Sequence, residues 1–254
     1  MNISFDHKVV LVTGASRGIG AVTAQLFADS GATVVIHYNK NNLAAESTFS
    51  SLPGTGHSIV RADMASVDDL KTMTDHVISK YGRIDILVNN AGIYEEHDMV
   101  EMPFDEFLQY WDETIRVNLT GPAILSNLVS REMMKSGGGR IVNVTSRGAF
   151  RGEPTAWAYG ASKAGLNSAG QSMAKSLAKV GIYVFTLAPG FVETDMAGPC
   201  LVGEKRKEIE SQTPLNRLAQ PEEIGRAILL LAAEGNEYMT GCVLDMNGAS
   251  YLRT

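Results

Sequence analysis

Short β-branched runs alternate with longer amphipathic stretches along almost the whole chain. Residues 8–13, 33–38, 57–62, 84–89, 140–145, 182–188 and 242–246 read as seven strands. Between them lie segments such as 19–29 and 67–80, whose apolar positions recur at helical spacing. Residues 9–12 and 86–88 are apolar without alternation, the mark of central strands covered on both sides. Strand and helix in turn predict an α/β fold, a Rossmann-type doubly wound parallel seven-stranded sheet with helices on both faces. No linker-like stretch, internal repeat or low-complexity tract interrupts it, so residues 1–254 read as a single domain.

Two regions break the rhythm. Residues 93–105 carry Glu95, Glu96, Asp98, Glu101 and Asp105 and follow a strand end, where such folds place ligand loops. Residues 190–214 hold Gly198, Pro199 and Gly203 and then a polar helical piece around 204–212, a pattern that suits a mobile substrate lid.

Composition narrows the classes without choosing a function. Of the 254 residues 44% are apolar and 20% charged, with a net charge of −6. The longest apolar run, 227–233, falls far short of the roughly 18 residues a membrane span requires. Residues 1–8 lack a basic and apolar leader pattern, and Cys200 and Cys242 are too few for a disulfide framework, so a reducing cytoplasm is expected. The acidic balance offers nothing to nucleic acid or an anionic membrane. The five histidines, at 7, 37, 57, 76 and 97, show no metal-ligand spacing, so no metal is expected.

Candidate chemistry begins where the first strand runs into Thr13-Gly14-Ala15-Ser16-Arg17-Gly18-Ile19-Gly20. Glycines there let backbone approach a pyrophosphate, and the helix that follows offers free N–H groups and a positive dipole end. A glycine pattern alone also serves a tight turn; strand, glycines and helix together point to a dinucleotide. Tyr159 and Lys163 lie four residues apart and share one helix face. Ser146 stands just past a strand, where its hydroxyl can hydrogen-bond a substrate oxygen. Taken singly, Ser146 fits a strand-end turn, Tyr159 a half-buried aromatic, Lys163 a solvated charge and Asn118 a helix-terminal residue.

The TGxxxGxG spacing, Asn89-Asn90-Ala91-Gly92, and Tyr159-Gly160-Ala161-Ser162-Lys163 with Ser146 thirteen residues before the tyrosine together resemble the short-chain dehydrogenase/reductases. The resemblance spans nearly the whole chain and implies an oxidoreductase with a catalytic tetrad of Asn118, Ser146, Tyr159 and Lys163. In that pattern Tyr159 is the proton donor or acceptor, and Asn118 helps hold a water relay beside the lysine. Moving a phenol pKa from about 10 by about three units towards neutrality needs roughly 4 kcal/mol, which the ammonium and a positive nicotinamide together would supply.

The resemblance also assigns the cofactor contacts. Gly14, Ser16, Arg17, Gly18, Ile19 and Gly20 form the phosphate loop. Asp63, with Met64 beside it, faces the adenine, although Asp63 serves equally as a helix cap. Asn90, Ala91 and Gly92 line the adenosine side, and Pro189, Gly190, Val192 and Thr194 pass the nicotinamide. Tyr38 stands where an NAD-binding acid would be, and Arg17, His37, Asn39 and Lys40 can take a 2′-phosphate, so NADP(H) is favoured and NAD(H) stays open. Solvated surface charge is the plainer account of Arg17 and Lys40. Phe150, Trp157 and Phe191 suit either an apolar pocket wall or core packing.

Within the family, residues 189–196 and the ending at 240–251 look most like 3-oxoacyl-acyl-carrier-protein reductases. That implies an acyl thioester substrate and, through Arg131 and Lys175, an acyl carrier protein as partner. The acidic stretch between Gly92 and Asn118 opposes an acidic carrier. Alternatives are a dehydrogenase/reductase of a free small alcohol, sugar or steroid, and a catalytically silent NADP(H) sensor. The family likeness further implies a homotetramer built on residues 104–136, 157–178 and 242–254.

Overall fold

The computed structural model describes residues 3–194, 196, 198 and 202–253. Seven parallel strands form one sheet: β1 (Val9–Val12), β2 (Thr33–Tyr38), β3 (Ser58–Arg61), β4 (Ile86–Asn89), β5 (Gly139–Val144), β6 (Ile182–Pro189) and β7 (Val243–Met246). Their spatial order is β3-β2-β1-β4-β5-β6-β7, so the direction of winding reverses between β1 and β4. The doubly wound parallel sheet expected from the sequence is the one observed, with strand ends moved by one or two residues. A crevice opens at such a reversal, beyond the carboxyl ends of the strands.

Side-chain alternation sends Val10 and Val12 to one face of β1 and Val9 and Leu11 to the other, into two separate cores. Helix α1 (Gly18–Asp29) buries Gly20, Thr23, Ala24, Phe27 and Ala28, one face at helical spacing, and packs with α9 (Pro221–Ala232) on the first core. On the second lie α3 (Val67–Tyr81) and α5 (Gly121–Lys135), which bring Leu70, Met73 and Val77 against Leu125, Val129 and Met133. Ser66 caps α3, accepting from the Asp69 N–H at 3.2 Å, and Gly82 ends it at φ +73°. A shorter helix, α2 (Asn42–Ser51), links β2 to β3.

One departure from the expected helical stretch matters for the site. Helix α4 (Phe104–Ile115) does not run straight into α5; residues Arg116–Thr120 form a π-helical turn between them. Such a turn widens the helix by a residue and is common at functional sites. After β5 come the single-turn α6 (Gly148–Arg151) and the long α7 (Trp157–Leu177). Helix α8 (Gly203–Ser211) falls within a residue of the polar helical piece expected there. Residues 195, 197 and 199–201 of the expected lid, and Thr254 of the expected assembly tail, lie outside the described residues.

Candidate active site

Strand β1 delivers the glycine turn to the amino end of α1. Gly14 (φ +63°) and Gly18 (φ +56°) adopt left-handed backbone that side chains disfavour. A Cβ on Gly20 would collide with the Gly14 carbonyl and come within 2.6 Å of Asn90 Nδ2. No side chain caps α1, so its first-turn N–H groups stay available to an anion. Thr13 Oγ1 accepts from the Asn90 and Ala91 N–H groups at 2.9 and 3.0 Å, and Asn90 Nδ2 donates to the Thr13 carbonyl at 2.9 Å. The Asn90 amide is therefore engaged in lacing the β1 and β4 loops together.

His37 corrects one expectation. It is buried at the end of β2, where Nδ1 accepts from the Gly14 N–H and Nε2 donates to the Ala62 carbonyl, both at 3.0 Å. Burial pushes its pKa down to about 4. Both ring nitrogens are occupied and the ring is neutral, so His37 pins the glycine loop and cannot bind a phosphate. Arg17, Tyr38, Asn39 and Lys40 do line the cleft, with no acid among them at the β2 end. Asp63 lines it as well; Ser66, not Asp63, caps α3, while Asp63 Oδ1 accepts from the Ala65 N–H at 2.9 Å.

At the other end stand Ser146, Tyr159 and Lys163. Ser146 follows β5, and its Oγ accepts from the Gly148 N–H at 3.0 Å. Tyr159 sits in the first turn of α7, and buried Lys163 one turn on donates from Nζ to the Val144 carbonyl at 3.0 Å. That ammonium lies 5.6 Å from the Tyr159 ring centroid. Asn118, in the π-helical turn, accepts from the Ile93 N–H at 2.8 Å and donates to the Ile93 carbonyl at 2.9 Å. A Cβ on Gly92 would lie 3.2 Å from Asn118 Oδ1 and 3.4 Å from Lys163 Nζ, so the two flank that glycine.

Burial decides both ionisations. It pushes the Tyr159 phenol up to about 12, with a hydrogen bond to Ser146 working the other way and Glu153 adding to the rise. It pushes Lys163 down to about 8. The net direction for the phenol is upward, because the cost of desolvating a phenolate outweighs the Ser146 hydrogen bond.

These residues surround one cleft of about 500 Å³. Every expected catalytic or cofactor residue lines it except Gly20 and Asn118, which support the wall from behind. The left-handed glycines, the bare helix end and the basic far rim fit a dinucleotide phosphate chain. Of the expected apolar walls only Phe191 lines the cleft. Trp157 is half exposed and meets Phe107 edge-on, and Phe150 lies under the Arg253 guanidinium.

A family model described as "Enoyl-(Acyl carrier protein) reductase" matches residues 14–248. The chain belongs to the short-chain dehydrogenase/reductase family. As a member it is an NAD(P)-dependent oxidoreductase acting on the CH–OH/C=O pair. It is 39% identical over 252 residues to the 3-oxoacyl-(acyl-carrier-protein) reductase FabG of Vibrio harveyi, covering 98% of this chain and 100% of that protein. The enzyme of the same name from Thermotoga maritima is 40% identical over 245 residues, 96% and 97% of the two chains. The crystal structure of gox2181 superposes with a TM-score of 0.91 at 27% identity, covering 97% of this chain and 96% of that one.

Several residues of this short-chain dehydrogenase/reductase line the cleft without having been singled out in the sequence, Tyr94, Arg147 and Glu153 among them. The Tyr94 ring meets Tyr159 edge-on at 4.9 Å and, like Phe191, packs against Ile209 and Leu218. Arg147 carried a usable signal, a cation directly after the strand-end serine. The acidic stretch is also partly neutralised, since Glu96 pairs with Lys205 of α8 at 2.6 Å. Among the described residues no helix is long and apolar enough to cross a membrane.

Proposed function

We propose that the protein is an NADPH-dependent carbonyl reductase of the cytoplasm, acting on a 3-oxoacyl thioester or a related ketone with Tyr159 as proton donor. The observation that carries this reading is the gathering of Ser146, Tyr159 and Lys163 over a cleft whose far rim holds Arg17, Asn39 and Lys40, with no acid at the end of β2. The relatives named as 3-oxoacyl-(acyl-carrier-protein) reductases support the substrate class.

Bound in this cleft, NADPH supplies the hydride. Ser146 donates a hydrogen bond to the carbonyl oxygen and Tyr159 gives it the proton. A phenol held at about 12 stays protonated at neutral pH, the state an acid needs in the reducing direction. The Lys163 ammonium stabilises the phenolate left behind, and the relay that restores the proton runs past Lys163 and Asn118. Arg17 and Lys40 receive the 2′-phosphate. Residues 190–214 act as the lid, which Phe191, Ile209 and Leu218 seat on Tyr94. Exposed Phe104, Leu108 and Trp157 on α4 and α7 are the surface a homotetramer would cover.

A second reading, reduction of a free small ketone, draws on the rim itself. Glu95, Glu96, Asp98, Glu101 and Asp105 are all exposed beside the cleft mouth, and an acidic carrier would be repelled there, although Arg131 and Lys175 are exposed to receive one. Initial rates of NADPH and NADH oxidation with acetoacetyl thioesters and simple ketones, with Tyr159→Phe as control, separate the readings. Thioester reduction with NADPH, lost in the control, is the expected result. Turnover of free ketones alone would move the assignment to the second reading. NADPH binding without turnover of any carbonyl would overturn both in favour of a sensor.

A further inference from the structure

Directly after Ser146 the cleft wall carries Arg147, whose side chain is shut away from solvent at 3% exposure. Burial lowers its pKa only to about 10, so the guanidinium remains charged at neutral pH. Among the described residues no carboxylate pairs with it within 4.0 Å; Glu153, the acid acting on it at longer range, lies 4.0 Å from Arg151 Nε. Its Nη2 donates instead to Gln212 Oε1 at 2.5 Å, and Arg151 Nη1 donates to that same oxygen at 3.3 Å. Two cations thus converge on one neutral amide oxygen. Among the described residues Glu153 is the acid acting on both cations, which leaves one positive charge without a counter-charge of its own, and a guanidinium satisfies a carboxylate better than an amide.

The position ties this charge to the reacting centre. The Arg147 guanidinium lies 4.9 Å from the Phe191 ring centroid, Phe191 and Tyr94 both pack against Ile209 and Leu218, and Tyr94 meets the Tyr159 ring. We infer that Arg147 is a specificity-determining residue that receives a carboxylate carried by the carbonyl substrate, the carboxylate taking the place of the Gln212 oxygen between Arg147 and Arg151. The inference rests on the reductase reading of this site and deepens it. The carboxylate belongs either to a free oxo acid or to a 3-oxoacyl thioester whose acyl chain ends in an acid.

The test compares kcat/KM with NADPH for 4-oxopentanoate and its methyl ester, and for 3-oxoglutaryl and acetoacetyl thioesters, in the natural protein and in Arg147→Leu. The expected acid-to-neutral ratio is about tenfold or more in one pair, falling to about one in the variant. The pair that shows it identifies the source of the carboxylate. A ratio near one in both pairs of the natural protein, or a ratio that Arg147→Leu leaves unchanged, overturns the inference while the reductase reading stands. If none of the four compounds is reduced, the reductase reading fails, and thermal stabilisation of the NADP-bound protein by glutarate against dimethyl glutarate then decides. Stabilisation by glutarate alone, lost in Arg147→Leu, supports a carboxylate seat, and equal shifts overturn it.

Discussion

Asn118 holds Ile93 by both of its backbone polar groups, accepting from the N–H at 2.8 Å and donating to the carbonyl at 2.9 Å. The π-helical turn aims the amide at a loop more than twenty residues earlier, beside Gly92 and Lys163. Asn118→Leu would strand both groups, at about 1–3 kcal/mol each in stability. Asn118→Asp keeps the acceptor, loses the donor and should fall between. Urea unfolding midpoints and kcat measured on the same preparations check this; a Leu variant matching the natural protein in both would rule the two bonds out.

Tyr159→Phe removes one oxygen and little else. The loss of proton donation should lower kcat by about 10²-fold or more. NADPH affinity, followed by fluorescence titration, should change little, since the ring and its contact with Tyr94 remain.

The pH profile should report Lys163. Its folded pKa, held down to about 8 by burial, means that the ammonium is lost as pH rises through that value. A neutral amine no longer stabilises the phenolate, so kcat for reduction should decline above about pH 8. Lys163→Arg should lack that limb, because a guanidinium does not titrate there. An unchanged limb in the variant would assign it to another group.

Cofactor choice should turn on the end of β2. Tyr38→Asp places a carboxylate where a ribose 2′-hydroxyl would be gripped and a 2′-phosphate repelled. The NADPH-to-NADH ratio of kcat/KM should fall by about tenfold or more, and Arg17→Ala should weaken NADPH selectively. Equal losses with both cofactors would place the phosphate elsewhere.

His37 should contribute an acid-side slope to stability. Its pKa falls from 6.5 when unfolded to about 4 when folded, so the unfolded chain binds the extra proton between those values. The contribution is complete above pH 6.5 and is lost as pH falls towards 4, about 3 kcal/mol in all. In His37→Gln, whose amide can serve both Gly14 and Ala62, denaturation midpoints measured across that range should lack the slope.

The sequence by itself determined the sheet, the glycine turn and the pairing of Tyr159 with Lys163, because each is local. Short continuous apolar runs, glycines at left-handed turns and an i, i+4 spacing act over a few residues. Only the tertiary structure decided what depends on distant neighbours. His37 read as a phosphate ligand until Gly14 and Ala62 were seen to occupy both of its nitrogens. Asn118 read as a tetrad member by resemblance and as a helix-terminal residue taken singly, and its partner Ile93 emerged only with the π-helical turn. Arg147 read only as a cation after the strand-end serine, and its burial in the cleft wall with Gln212, just past α8, as partner emerged only in the fold. Burial and long-range hydrogen bonds set these roles, and both arise from segments that meet only when the chain is folded.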